Sequence, residues 1–492
     1  MKLLQIRNAT IGFPLKTLME IPQLDVETGE KIGLIGVNGS GKSTLLKVLT
    51  GEMEALEGSV QSFGNWVMLS QFGEANRQEM TGKQKSLWGI SALEDREEEV
   101  LSGGEKTRQK LAEAFSQGAH VYLFDEPTSH LDQKGIEELR DGLSNLSTFI
   151  LISHDRMLLD ELTNRTWDIR EGKLFDYPGP YGDYVDWLEK DLERREKEYE
   201  EYEAEKKRLG DVARQKREQA ARTQRKPKGK SPSEWKAAEF GSVGKSLRGK
   251  AKSLQSAAKH VEKRIEQMEV KEKPKRSFVI NPDFSLTNPP QNRIIAEATD
   301  FSFAYGKDKQ HLIFDDTSFY LKRNHKTALV GANGTGKSTL LRLISNGHQG
   351  IHVVPKAKIG FFRQELENID PEETVLENLQ RVSCQDEAVS RSLLARMGFF
   401  QQDIWKKGKL LSGGERVKLS FTMLFVSDCN VLLLDEPTNF LDIPSIEAIE
   451  ELLHQYEGTV LFTSHDRRLV EKIADEIWKI EDKKISILET GV

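Results

Sequence analysis

The chain has 492 residues, 30% of them charged and 37% hydrophobic, with a formal charge of −7. No run approaches the ~20 uninterrupted apolar residues of a membrane-spanning helix, and the start, MKLLQIRNATIGF, lacks a secretory pattern. Two cysteines, Cys384 and Cys429, are too few for a disulfide framework or a four-ligand zinc site. A soluble cytoplasmic protein of about three domains is expected. Its acidic average argues against a nucleic-acid partner, unless the average hides a basic segment.

Along the chain, KIGLIG (31–36) reads as a short buried strand. It runs into GVNGSGKST (36–44), which fits G-x-x-x-x-G-K-[ST] and precedes the helical stretch KSTLLKVL. Gly36, Gly39 and Gly41 let backbone N–H groups close around phosphate oxygens at a helix N-terminus. Lys42 would reach the β- and γ-phosphates and Ser43 would ligate Mg²⁺, with Asn38 and Thr44 in the same loop. LSGGEKTR (101–108) opens a further amphipathic helix. The strand VYLFDE then ends in adjacent carboxylates. Asp125 is placed to hold magnesium and Glu126 to polarise an attacking water. His154 follows the strand FILIS; it is placed either to contact the γ-phosphate or to be structural.

From about 186 to 275 the βα alternation stops and charge dominates. The outgoing part has a partly apolar seam at Leu188, Leu192, Tyr199, Tyr202, Leu209 and Ala213. The returning part repeats Leu247, Ala251, Leu254, Ala258, Val261, Ile265 and Met268 at alternating spacings of four and three. This pattern predicts two helices packed as an antiparallel hairpin, reaching roughly 45 Å for ~30 residues. The segment 223–245 contains Pro, Gly and Ser and is expected to form its tip. Residues 206–252 hold 16 Lys/Arg against 4 Asp/Glu, a local charge of +12 that leaves −19 for the rest. Such a run reads as a nucleic-acid footprint. Arg225, Lys226, Lys228, Lys230 and Lys236 are the candidate phosphate contacts. Trp235 and Phe240 are placed to stack on bases or to pack on the hairpin itself.

The remainder repeats the first part in order. GANGTGKST (331–339), LSGGERVK (411–418), VLLLDEPTNFLD (431–442) and FTSHDR (462–467) match the earlier blocks at offsets near 295 and then 310. Gly331, Asn333, Gly334, Gly336, Lys337, Ser338 and Thr339 therefore repeat the phosphate loop, Asp435 and Glu436 the carboxylates, and His465 the histidine. The chain is a duplication. The expected fold class is α/β, with a doubly wound parallel sheet in each copy. The boundaries are 1–185, a helical linker over 186–275, and 276–492.

Together LSGGE, DEPT and SHD resemble the ATP-binding cassette (ABC) ATPases. That resemblance implies two ATP molecules, with Mg²⁺, between head-to-tail halves of a monomer. Ser102, Gly103 and Gly104 would contact the γ-phosphate of ATP held by the opposite half, as would Ser412, Gly413 and Gly414. Gln71 and Gln364 match the Q-loop that senses Mg²⁺ and γ-phosphate, and Asp132 and Asp442 match the D-loop. Phe13 and Tyr305 would stack on adenine, with core packing the alternative for Phe13.

Tandem cassettes joined by a charged helical hairpin resemble the ABC-F family over essentially the whole chain. Members bind the ribosomal E site and push the linker toward the P-site tRNA and the peptidyl-transferase centre, against large-subunit rRNA. Only about 30 residues separate Gln71 from Ser102, leaving no room for the extra arm subdomain of some housekeeping factors. The first D-loop reads SHLD and the second NFLD, where many relatives have NHLD twice. Lack of an arm, a basic tip of some length and the expected lack of a long C-terminal tail look most like the antibiotic-resistance members of macrolide/streptogramin type. The alternatives are a housekeeping ABC-F translation factor, the ATPase subunit of a multicomponent exporter, and a DNA-repair or chromosome-structure ATPase.

Overall fold

The computed structural model describes residues 1–69, 118–128, 131–223, 242–273, 282–287, 289–306, 311–363, 368–439 and 441–489. The chain forms two compact units, Met1–Tyr184 with Phe278–Val492, and Val185–Ser277.

In the first half, β1 (Lys2–Phe13), β2 (Lys16–Glu27) and β3 (Lys31–Gly36) precede helix α1 (Lys42–Leu49). Then come β4 (Glu57–Ser62), β5 (Trp66–Leu69), β6 (Val121–Asp125) and α2 (Gln133–Ser144). After β7 (Phe149–Ile152) and α3 (Arg156–Leu162), β8 (Arg165–Arg170) and β9 (Lys173–Tyr177) complete it. One sheet runs β4-β1-β2-β9-β8-β3-β7-β6-β5. The stretch β8-β3-β7-β6-β5 is parallel throughout. Its strands β7 (FILI) and β6 (VYLFD) are apolar almost end to end, as strands covered on both faces are.

Two helices follow, α4 (Tyr181–Thr223) and α5 (Ser242–Glu266). The second half begins with β10 (Ile294–Tyr305), β11 (His311–Lys322), β12 (Lys326–Val330) and α6 (Lys337–Ser345). It continues with β13 (His352–Val353), β14 (Ile359–Phe362), α7 (Val375–Val382), α8 (Glu387–Arg396) and α9 (Gly413–Val426). Next are β15 (Val431–Leu434), α10 (Ile443–Gln455), β16 (Thr459–Thr463) and α11 (Arg467–Ile473). The strands β17 (Glu476–Glu481) and β18 (Lys484–Glu489) end it. Its main sheet is β14-β15-β16-β12-β17-β18, and β11-β10-β13 forms a separate antiparallel layer.

The wholly parallel sheet expected from the buried runs is therefore only the centre of each half. The first two strands of each half pair antiparallel over 12 residues. Their signal was alternation: β1 buries Leu4, Ile6, Ala9 and Ile11 and leaves Gln5, Arg7 and Thr10 between them half-buried and Asn8 exposed. Trp167 and Trp478, on equivalent strands, are fully buried and anchor the two cores.

Several motif residues have a second task, as helix N-caps. Asp132, Asp155, Asp442 and Asp466 each accept a hydrogen bond from the backbone N–H three residues on. Ser412 and Glu415 of LSGGE form a reciprocal capping box at the start of α9. Gly41 and Gly336 cap α1 and α6 at φ near +100°, and a Cβ on Gly336 would meet Ile313 Cγ2 at 2.4 Å.

The unit Val185–Ser277 is helical. Pro178 and Pro180 precede α4, whose first turn is closed by Tyr184 N–H to Pro180 O. Leu209, Ala213, Ala220, Ala251 and Ala258 are buried, while Arg195 and Lys206, which interrupt the outgoing seam, face solvent. Ion pairs Arg217–Glu262 and Glu198–Lys271 join the outgoing and returning stretches in antiparallel order. The 43 residues of α4 correspond to about 65 Å of helix. Among the described residues no helix is long and apolar enough to cross a membrane.

Candidate nucleotide-binding sites

In each half the glycine-rich loop follows β3 or β12, the histidine follows the adjacent strand, β7 or β16, and the carboxylates follow the strand beyond it, β6 or β15. All three groups thus emerge at the carboxyl ends of parallel strands, where such sheets place ligands.

In the first half, a cavity of about 510 Å³ is lined by Phe13, Asn38, Gly39, Gly41, Lys42, Ser43, Thr44, Asp125, Glu126 and His154. Its size suits a nucleotide. Phe13 is 51% exposed at this cavity, so it is not a core residue. Lys42 Nζ donates to Gly36 O at 2.8 Å and Val37 O at 3.3 Å. Burial lowers the Lys42 pKa, opposed by the charges of Glu126, Asp442 and Asp125. Burial raises Asp125 despite a hydrogen bond with Ser43. Glu126 is driven up to about 7 by burial, against the pull of Lys42 and with repulsion from Asp125. His154 Nε2 lies 3.0 Å from Glu126 Oε1. Burial and the Lys42 charge hold His154 down at about 3, so the ring is neutral near pH 7.

The second half repeats this chemistry. Lys337 Nζ donates to Gly331 O at 2.8 Å and Ala332 O at 3.2 Å. Ser338 Oγ and Thr463 Oγ1 each donate to Asp435 Oδ1 at 3.0 Å. Glu436 rises to about 7 through burial, and His465, 3.3 Å away, falls to about 4 through burial and the Lys337 charge. Tyr305, 46% exposed, has its hydroxyl 3.2 Å from Thr339 Oγ1. Asn333, Gly334 and Gly336 lie between that loop's strand and α6.

Both glutamates sit in the left-handed region, at φ 53° for Glu126 and 49° for Glu436. Such backbone strain in a non-glycine residue gathers at functional sites. Their Oε1 atoms are buried without an aligned hydrogen-bond partner among the described residues. A buried carboxylate oxygen left in this way is suited to accept a proton or a hydrogen bond from a bound molecule.

The halves meet at the first site. Gly414, in the first turn of α9 with Gly413 and after the cap Ser412, lines the cavity of the other half. Asp442 Oδ2 accepts from Asn38 N–H at 2.9 Å and from Lys418 Nζ at 2.8 Å. Burial pushes Asp442 up, but Lys418, Asn38 N–H and Ser445 outweigh it and hold the carboxyl at about 2. At the second site, the negative charge of Asp132 reaches Lys337 and His465. Lys418 was not among the residues expected from sequence, although its place in a repeated motif facing an acidic D-loop was a usable signal. Gln71, Ser102, Gly103, Gly104, Gln364 and the tip residues Arg225, Lys226, Lys228, Lys230, Trp235, Lys236 and Phe240 lie outside the described residues.

The family profile described as ABC transporter matches residues 19–129 and 314–439, and a second profile of the same description matches 167–230. The chain is 34% identical to the erythromycin resistance ATP-binding protein MsrA of Staphylococcus epidermidis, covering 93% of each. It is 30% identical to the ribosome protection protein VmlR of Bacillus subtilis, covering 96% of this chain and 85% of that protein. It is 29% identical to the ATP-binding protein Uup of Escherichia coli, covering 98% and 80% respectively. Among solved structures, an RNase-L inhibitor superposes at a TM-score of 0.63 with 19% identity, over 98% of this chain and 89% of that one, which establishes a shared fold.

Proposed function

Because this chain belongs to the ABC-F family and is an ATPase, we propose that it binds the bacterial ribosome and uses its basic hairpin to protect translation from large-subunit antibiotics. The observation that carries this reading is the +12 segment at 206–252, set on a helical hairpin between two complete ATPase halves. The relatives support it, two of them being named for erythromycin resistance and ribosome protection. The hairpin is directed toward the P-site tRNA and the peptidyl-transferase centre, and its acidic ATPase body stays away from RNA. Expression in a susceptible bacterium is expected to raise tolerance to such drugs, and the purified protein to restore drug-inhibited translation. Failure of both sinks the proposal. The 29% identity to Uup supports a housekeeping reading, which predicts growth or translation defects on gene deletion without drug.

The side chains fit Mg²⁺ with ATP: Ser43 with Asp125, and Ser338 with Asp435, pair a hydroxyl and a carboxylate beside each phosphate loop. That oxygen set suits a cation that takes its other ligands from phosphates and water. When bound, the ion neutralises charge on the β- and γ-phosphates. Lys42 and Lys337, held by neutral carbonyls, turn to the stronger phosphate oxygens. The signature residues Ser102–Gly104 and Ser412–Gly414 close each site from the opposite half. Gln71 and Gln364 would help to hold the ion, and Phe13 and Tyr305 would stack on adenine. Glu126 and Glu436 take the proton of the attacking water as its oxygen bonds to the γ-phosphorus and the β–γ bridging bond breaks. His154 and His465, neutral, keep the glutamates in place beside the γ-phosphate.

A pH profile follows from these carboxyls. With each raised from 4.5 to about 7, kcat is expected to fall about tenfold per unit below pH 7 and to level off above it. A flat profile of phosphate release from pH 5.5 to 9 excludes this assignment. The same shift favours the protonated folded state, so the nucleotide-free fold loses stability as pH rises from about 4.5 through about 7.

A further inference from the structure

The two sides of the interface between the ATPase halves carry different charges at equivalent places. Aligning the D-loops pairs Asp132 with Asp442, and hence Arg140 of α2 with Glu450 of α10. Aligning the SHDR motifs pairs Arg156 with Arg467, and hence Glu161 with Lys472. The couple Arg140–Glu161 in the first half thus becomes Glu450–Lys472 in the second, with the charges exchanged.

This exchange decides what each trans-acting arginine meets. Arg156, two residues after His154, pairs with Glu450 of the opposite half, and both side chains are buried, at 1% and 0% exposure. Glu450 also takes Lys472 at 2.9 Å, and Arg156 lies 3.7 Å from Asp466. Although burial pushes the Glu450 carboxyl up, hydrogen bonds from Arg156 and Lys472 hold it below its ordinary value. At the corresponding place on the second side stands Arg140, which lines one cavity with Arg467, and like charges repel. Arg467 pairs instead with Glu137, one helical turn earlier, where both side chains are more than 40% exposed. A cavity of about 40 Å³ lies beside that pair, lined by Gln133, Glu137, Arg140, Glu161 and Arg467. It is large enough to admit water.

We propose that Arg156 and Glu450 form a one-sided latch, which makes Glu450 a positioning residue for the first ATP site and leaves the second side as the one where the halves part first. Glu450 acts through Arg156 on the loop that carries His154, while α10 presents Asp442 to Asn38 of the same site. Among the described residues, the counterpart of the Arg156–Glu450 pair on the second side, Arg467–Glu137, is solvated, which screening makes weak. Tyr181, the buried first residue of α4, lies close enough to Arg156, Glu447 and Arg468 to feel their charges.

Removing the Glu450 carboxylate leaves the buried Arg156 charge with its longer contact to Asp466 in the closed state, a cost that the open state does not carry. ATP affinity, which depends on closure, reads this out. In a Lys337→Ala protein, where only the first site binds, Glu450→Gln is expected to raise the ATP Kd about tenfold. In a Lys42→Ala protein the same change is expected to raise it less than twofold. Glu450→Asp, which keeps the charge, recovers most of the loss. Arg140→Glu with Glu161→Lys writes the latch into the second side and is expected to tighten the second site several-fold. Because both of those side chains are exposed, this variant decides the matter even if Glu450→Gln fails to fold. Spin-label pairs across each side are expected to lengthen first at the second side as ATP is withdrawn. Equal Kd shifts at both sites, no shift at the first, no gain at the second, or simultaneous lengthening overturns the proposal.

Discussion

Glu126→Gln with Glu436→Gln is expected to bind ATP with unimpaired affinity and to hydrolyse it ~10²–10⁴-fold more slowly, the usual contribution of a positioned base. Glutamine keeps the shape of the side chain, and the amide cannot accept the water's proton near neutral pH. The phosphate cradle is untouched, because Lys42 and Lys337 lie on other strands' loops. Removing a buried carboxyl raised to about 7 also relieves the penalty of ionising it there. The double variant should therefore accumulate in the closed, ATP-bound state. Phosphate release and retention of labelled nucleotide after gel filtration measure the two halves of this expectation. Hydrolysis at the unsubstituted rate would show that another group takes the proton.

Replacing Arg225, Lys226, Lys228 and Lys230 together by Ala is expected to weaken ribosome association at least tenfold at moderate salt and to flatten its salt dependence. Each lost phosphate contact lowers the slope of log K against log salt by ~0.7–0.9, so four contacts remove roughly three. Co-sedimentation with ribosomes over a salt series gives both numbers. A Trp235→Ala change, by contrast, should lower affinity at every salt concentration alike if the ring stacks on a base. An unchanged slope in the fourfold variant would locate the electrostatic contact elsewhere in 206–252.

Most of what positions the sites was legible as local pattern. Phosphate loop, carboxylate pair and histidine each lie within a few residues of a short apolar strand, and their duplication fixed the reading. The helix caps Asp132, Asp442, Asp155 and Asp466 were not read, although each stands immediately before a helical stretch. The antiparallel strands were not read, although β1 and β10 alternate apolar and polar residues, because they carry no motif. The contacts of Lys418 with Asp442 and of Arg156 with Glu450 were beyond local pattern. They join residues 24 and 294 positions apart, and only the fold brings them together. Phe13 could not be assigned from hydrophobicity, which does not distinguish an aromatic at a cavity mouth from one in a core.

The carboxylate of Asp442 divides its labour between its two oxygens. Oδ1 accepts from Ser445 within its own helix, whereas Oδ2 accepts from Asn38 of the opposite half. Parting the halves leaves the first bond intact and severs the second. The Ser445 amide should thus exchange its hydrogen for deuterium slowly in every nucleotide state, while the Asn38 amide exchanges slowly only while the halves are joined. One aspartate supplies both a clock and its internal standard, and the ratio of the two exchange rates reports how long the first site stays shut in each cycle.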